Sequence, residues 1–310
     1  MKVHLITNCT SKKTNSLNSC VSVSEIGSTE ELAAHDWANR LNQETTKLKA
    51  KDVYLGDHWS RVLELINSET VVNIISAGYG FIESNTPICR YDATFSSQNA
   101  NSVSNLYNFS STTACNQKWW KDINSFLNGY ENPIEVLYNA NPEDKFIIAT
   151  SPTYLKVIQP ELTYLAQIGR LNKENTVILS TRQSVPQELN SVFLTVKDEF
   201  TALVGGSHVS LNIRVAAFII EHAQKGIDFL TQVNTAYNIL LKEGRPTLKY
   251  KRKKLTDDDV KEFINNFLKS TKQALPTASP ILRELRNQGM ACEQKRFKKI
   301  FESVLQTAPQ

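Results

Sequence analysis

Five short apolar runs, at 3–6, 71–75, 146–149, 176–179 and 192–196, are each bounded by polar turn residues, and most are separated by stretches with helical spacing. Such runs suit strands buried on both faces, and their alternation with helices implies a parallel sheet covered on both sides. The expected fold is therefore α/β: a mostly parallel sheet flanked by helices, with helices predicted at 29–43, 57–67, 113–126, 152–169, 210–223 and 227–241. Ser28 or Thr29 is the expected cap of the first of these. The 310 residues, 41% hydrophobic and 21% charged, suffice for one large core and a smaller appendage.

The appendage is expected at 244–310, after an α/β domain at 1–243. At 244–254 a helical pattern meets Gly244 and Pro246 and a basic run begins. Residues 242–310 hold sixteen Lys and Arg against eight Asp and Glu, a net of +8, while the preceding 241 residues are net −4. Such a balance suits phosphate neutralisation, so DNA is the expected partner, with a solvated helical surface as the alternative. The acidic start at 256–259 opens one amphipathic helix, and Pro280 and Gly289 bracket a second before a basic third. Helix, Gly-containing turn and basic helix is the layout of a small all-α helix-turn-helix-like module. It places Lys295, Arg296, Lys298 and Lys299 outward for DNA, with Lys251 and Arg252 in the run before it. Three-helix units of this size also dock proteins.

The segment 76–95 follows the second apolar run, at the position where open α/β sheets hold ligands. Gly78 and Gly80 loosen its backbone, Tyr79, Phe81 and Tyr91 offer flat stacking surfaces, and Asp92 stands beside them with Arg90 nearby. Those residues fit a pocket for a planar ring; a loop whose aromatics cap the core is the alternative. An ionised Asp92 there could orient water or stabilise positive charge on a sugar carbon, or simply cap a turn.

Three further turns are polar. At 205–214 two glycines lead into an apolar helix, where His208 could donate to a departing base and Ser207, Ser210 and Arg214 could meet phosphate, although Ser207 and Ser210 are also natural caps. Ser151 and Thr153 follow the third run, and Asn8 and Lys12 follow the first, Asn8 suited to a base edge and Lys12 or Lys13 to phosphate. Polar groups at the ends of four strands converge more tellingly than any one of them.

No phosphate-binding P-loop, dinucleotide glycine motif or HExxH occurs, which argues against a nucleotide hydrolase, a dinucleotide enzyme or a zinc protease. Neither cofactor nor metal is expected. Five cysteines without a CxxC pair are expected to be free thiols. No apolar stretch of about 18 residues occurs, and the first residues lack a signal-peptide pattern, so a cytoplasmic location without membrane contact is expected.

Through the 76–95 segment, the 205–214 turn and the basic C-terminal region, the chain resembles the anti-phage DNA glycosylases that excise glucosylated hydroxymethylcytosine. It is similar, more loosely, to the uracil-DNA-glycosylase-like α/β domains of deazaguanine transfer enzymes. His208, Val209 and Ser210 resemble the His-Pro-Ser turn of uracil-DNA glycosylases, with Val209 in place of the proline. The water-activating Gly-Gln-Asp-Pro-Tyr signature is absent, and Asp92 is the position that could take its role. The resemblance implies an N-glycosidic-bond hydrolase that flips a modified base and leaves an abasic site. Asp92 and His208 would be its catalytic pair, Asn8, Tyr79, Phe81 and Tyr91 its base contacts. A DNA-binding regulator that senses a nucleobase-like ligand, or a nucleoside-processing enzyme acting on free substrate, would use the same pocket.

Overall fold

The computed structural model describes residues 1–17, 19–27, 30–181, 184–224, 226–246, 253–270 and 277–307. Ser28, Thr29, Lys251 and Arg252 lie outside these. The chain divides into two compact units, Met1–Thr247 and Leu248–Gln310.

The first unit is built on a six-stranded sheet of β1 (Val3–Asn8), β2 (Thr70–Ser76), β3 (Gly80–Glu83), β4 (Lys145–Ala149), β5 (Thr176–Thr181) and β6 (Phe193–Val196). Their order is β6-β5-β4-β1-β2-β3, parallel throughout except for β3, which folds back antiparallel on β2. Consecutive residues Leu5 and Ile6, Ile74 and Ile75, and Ile147 and Ile148 are all buried, as strands covered on both faces require.

The covering helices form two layers. One holds α1 (Glu30–Gln43), α3 (Thr112–Asn128), α4 (Pro133–Ala140) and α5 (Pro152–Gln167); the other holds α2 (Asp57–Leu65), α6 (Leu211–Glu221) and α7 (Phe229–Glu243). Because β1 lies between β4 and β2, the chain leaves β1 and β4 in opposite directions along the sheet. Their carboxyl ends are therefore the position where open α/β sheets are expected to form a crevice.

The 76–95 segment is more ordered than a long loop. Gly80, at φ +69°, turns the chain into β3, where Gly80 and Ile82 face inward while Phe81 is half-buried and Glu83 exposed. Two-residue ladders then pair Pro87–Ile88 with Leu48–Lys49, and Tyr91–Asp92 with Val21–Ser22. The segment is thereby stitched to the loops that follow β1.

The second unit packs α8 (Asp257–Ser270), α9 (Ala278–Asn287) and α10 (Gln294–Thr307) around Val260, Ile264, Ile281, Leu285, Phe297 and Phe301. Thr256 and Asp259 cap α8 reciprocally, each side chain accepting from the other's backbone N–H at 3.2 and 2.8 Å. Gly289, at φ +76°, turns α9 toward α10. A two-residue parallel ladder, Lys253–Lys254 with Met290–Ala291, adds strand structure to a module expected to be wholly helical.

Candidate active site

At the crevice, the seam between β1 and β4 is closed by side chains. Asn8 Oδ1 accepts from Thr150 Oγ1 and from the Ser151 backbone N–H, both at 3.1 Å, and Asn8 Nδ2 donates to the Cys9 carbonyl. Asn8 therefore ties the two strand ends together rather than standing free for a base edge. Beneath it, His58 is buried between Thr7 Oγ1, at 3.1 Å, and the Asn8 carbonyl. Desolvation pushes its pKa down to about 4, so the imidazole is neutral at physiological pH.

The turn after β2 is fixed from both sides. Trp37 Nε1 of α1 donates to the Gly78 carbonyl and Trp119 Nε1 of α3 to the Ala77 carbonyl, each at 2.7 Å, while Ser76 Oγ accepts from the N–H groups of Gly78 and Tyr79. Gly78 lies flat against the Tyr91 ring: a Cβ there would stand 2.5 Å from two ring carbons. The Tyr91 hydroxyl meets Ser76 Oγ at 2.8 Å and the Tyr54 hydroxyl at 2.9 Å. Burial raises both phenol pKa values well above their usual range, so both stay neutral.

Over that aromatic platform lies Lys13. Its Nζ sits 4.1 Å from the Tyr91 ring centroid and 6.0 Å from that of Tyr54. Its backbone is pinned by a bridge to Tyr54, flanked by hydrogen bonds from Thr14 N to Val53 O and from Leu55 N to Lys12 O. Desolvation lowers its pKa, partly offset by the nearby Cys9, Asp92 and Cys20, with Arg90 acting in the same downward direction. Cys9 is buried, with Sγ 3.3 Å from the Tyr154 hydroxyl. Asp92 is exposed, accepts from Asn101 Nδ2 at 2.6 Å, and is held in place through Ser22, whose hydroxyl donates to Asn101 Oδ1 at 2.7 Å. A fixed, exposed carboxylate and a half-buried ammonium thus share one basin, underlain by the buried rings of Tyr54 and Tyr91.

The remaining expected residues fall elsewhere. Tyr79 is a core residue whose hydroxyl bonds Cys89, and Phe81 packs edge-on to Trp120 behind the hairpin. With one face of Tyr91 on Gly78 and Lys13 over its ring, the three aromatics do not form an open sandwich. Lys12 is exposed, whereas Lys13 reaches the basin. Arg90 is half-buried beside it. Ser151 precedes α5, and Thr153 lines a polar cavity of about 180 Å³ with Ser96, Thr112, Asn116 and Lys156.

The 205–214 turn serves Asp57, the first residue of α2. Asp57 Oδ2 accepts from Ser207 N, Ser207 Oγ and Ser210 Oγ, while Oδ1 accepts from Arg214 Nη2 at 2.6 Å. These bonds hold the Asp57 carboxyl well below the usual carboxylate range. Ser207, Ser210 and Arg214 are thus spent on an internal carboxylate rather than presented to phosphate. His208 is exposed, with Nδ1 3.3 Å from Asp198. It opens the α6 layer, whereas Asp92 lies by Tyr91, whose ring meets Trp37 of the α1 layer. His208 is thus paired with Asp198 at the start of α6, whereas Asp92 accepts from Asn101, and the cation that Asp92 influences is Lys13.

In the second unit, Lys295, Lys298 and Lys299 are exposed along α10. Arg296 is turned inward: its Nε donates to Asp257 Oδ1 at 2.6 Å and its Nη2 to the Leu255 carbonyl at 3.0 Å, stapling α10 to the start of α8.

Lys13, Tyr54, Ser76 and Asn101 complete the basin, yet only Lys13 carried a sequence signal, as the second of two lysines after β1. Among the described residues no group of three His, Cys, Asp or Glu is placed to hold a metal ion, and no single helix is long and apolar enough to cross a membrane. Comparison with family models, curated proteins and solved structures finds no match for this chain.

Proposed function

We propose that this protein is a DNA glycosylase that acts in the cytoplasm on a modified nucleobase, hydrolysing its N-glycosidic bond and leaving an abasic site. The observation that carries this reading is the opposed charge pair in the crevice. Asp92 is exposed and anchored by Asn101, and the Lys13 ammonium rests on Tyr91 within its electrostatic reach. Breaking an N-glycosidic bond develops positive charge on the sugar and negative charge on the departing base. A preorganised anion and cation within electrostatic reach of one another match that separation better in the transition state than in the ground state.

In this reading Asp92 stabilises the sugar cation and orients the attacking water, while Lys13 stabilises the leaving base. The Tyr54–Ser76–Tyr91 network keeps the platform rigid. The target nucleotide must leave the duplex stack to reach the basin. The basic second unit, with Lys295, Lys298 and Lys299 exposed, supplies attraction for the DNA backbone. The sequence resemblance selects glucosylated hydroxymethylcytosine as the base and defence against phage as the setting. The test is to incubate the protein with plain duplex and with duplexes carrying hydroxymethylcytosine or its glucosylated form. Released base and alkali-labile sites on modified DNA alone are expected; none on any duplex would overturn the reading.

A further inference from the structure

The geometry points to a second activity at the same basin: Lys13 is the amine nucleophile of an abasic-site lyase, which cuts the DNA strand after the base has gone. The inference rests on the glycosylase reading, since that reaction's product is the lyase's substrate.

Lys13 Nζ is the ammonium that the fold brings over the Tyr91 ring, 4.1 Å from its centroid, on a backbone pinned to Tyr54. A lysine needed only for phosphate contact gains nothing from being laid half-buried over a phenol ring. An amine that must attack a carbonyl does, because desolvation beside other cations favours the neutral, nucleophilic form. Burial acts on Lys13 in that direction and outweighs the opposite pull of Cys9, Asp92 and Cys20. Asp92 stands within its electrostatic reach, exposed and anchored by Asn101.

The chemistry balances without a co-reactant. The Nζ lone pair bonds to C1′ of the ring-opened abasic sugar, the C1′ oxygen leaves as water, and an iminium forms. Asp92 takes a proton from C2′, and the C3′–O bond breaks with its electron pair leaving on the 3′ phosphate. Water then hydrolyses the imine, freeing Lys13 and an unsaturated aldehyde on the 5′ fragment. The buried, neutral Tyr54 and Tyr91 hydroxyls face Ser76 and each other, so they do not compete for the aldehyde.

The experiment uses the full chain and a duplex with a preformed abasic site, which needs no base excision, together with borohydride to reduce the imine. The expected result is a covalent protein–DNA adduct whose cross-linked peptide contains Lys13, with strand cleavage in the absence of alkali. Lys13→Arg, which keeps the charge over Tyr91 but cannot form the imine, should lose both while its melting temperature is retained. No adduct from wild-type protein that binds the duplex, or an adduct mapped to lysines of 248–310 and retained in Lys13→Arg, overturns the proposal. Base release from modified duplex is measured in parallel: release without trapping sinks the lyase alone, and trapping without release sinks the glycosylase reading.

Discussion

Tyr91 shows how much of the basin depends on one side chain. Its ring is wedged between the backbone of Gly78 and the ammonium of Lys13, and its hydroxyl is shared with Ser76 and Tyr54. Gly78→Ala puts a methyl carbon into the ring, which must move and carry the platform with it. The expected cost in stability is about 1–3 kcal/mol, typical of overpacking, with a larger fractional loss of base release than of DNA affinity. Rates and affinities measured on the same folded variant check this; an unchanged rate would show that the platform does not position Lys13. Asp92 and Tyr91 were legible in the sequence because they lie in the glycine-containing segment that follows a buried run. Tyr54 and Asn101 were not, since they reach the basin from 37 residues before Tyr91 and 9 residues beyond Asp92, distances at which no periodicity applies.

Among the elements, the strands and helices were the most legible part. Short apolar runs placed all five parallel strands, and the six helices expected in the first unit came within a few residues of their observed ends, while α4 was not expected. The hairpin strand β3 was missed because only Gly80 and Ile82 face the core, too short a run to register as alternation. Helix α10 was read as a uniformly basic face, but Arg296 folds back on Asp257 across 39 residues. Substituting Lys295, Lys298 and Lys299 by Ala should lower the log–log salt slope of duplex binding, by about 0.9 for each phosphate no longer neutralised, with the helical signal unchanged. Arg296→Ala should instead loosen the small unit, visible as a lower unfolding midpoint. Equal slopes for wild type and the triple variant would place DNA binding elsewhere.

Across the whole molecule, two buried ionisable groups oppose one another in pH. His58 has its pKa pushed down to about 4, so the unfolded chain binds the extra proton and stability rises with pH between about 4 and 6.5. Glu161 is buried between α3, α4 and α5, accepting from Trp120 Nε1 at 2.7 Å and Ile134 N at 2.9 Å. Burial pushes its pKa up to about 7, so the folded chain binds the extra proton and stability falls between about 4.5 and 7. Each effect is on the order of 3 kcal/mol, and over the shared window they offset. Asp57 and Asp144, both held low, act only at more acid pH. Denaturation as a function of pH should therefore show Glu161→Gln gaining stability relative to wild type as pH rises through this window, and His58→Gln losing it. Shifts of the same sign in both variants would contradict the assignment.

We propose that an anion at Asp92, within electrostatic reach of the Lys13 ammonium, opens the glycosidic bond. Single-turnover base release from glucosylated-hydroxymethylcytosine duplex, at protein concentrations that saturate binding, addresses it most directly when wild type is compared with Asp92→Asn. The amide keeps the size of the side chain and a hydrogen-bonding oxygen for Asn101 while removing the charge. A fall in rate of about 10²-fold or more at nearly unchanged duplex affinity is the expected result. Base release by Asp92→Asn at the wild-type rate would contradict it.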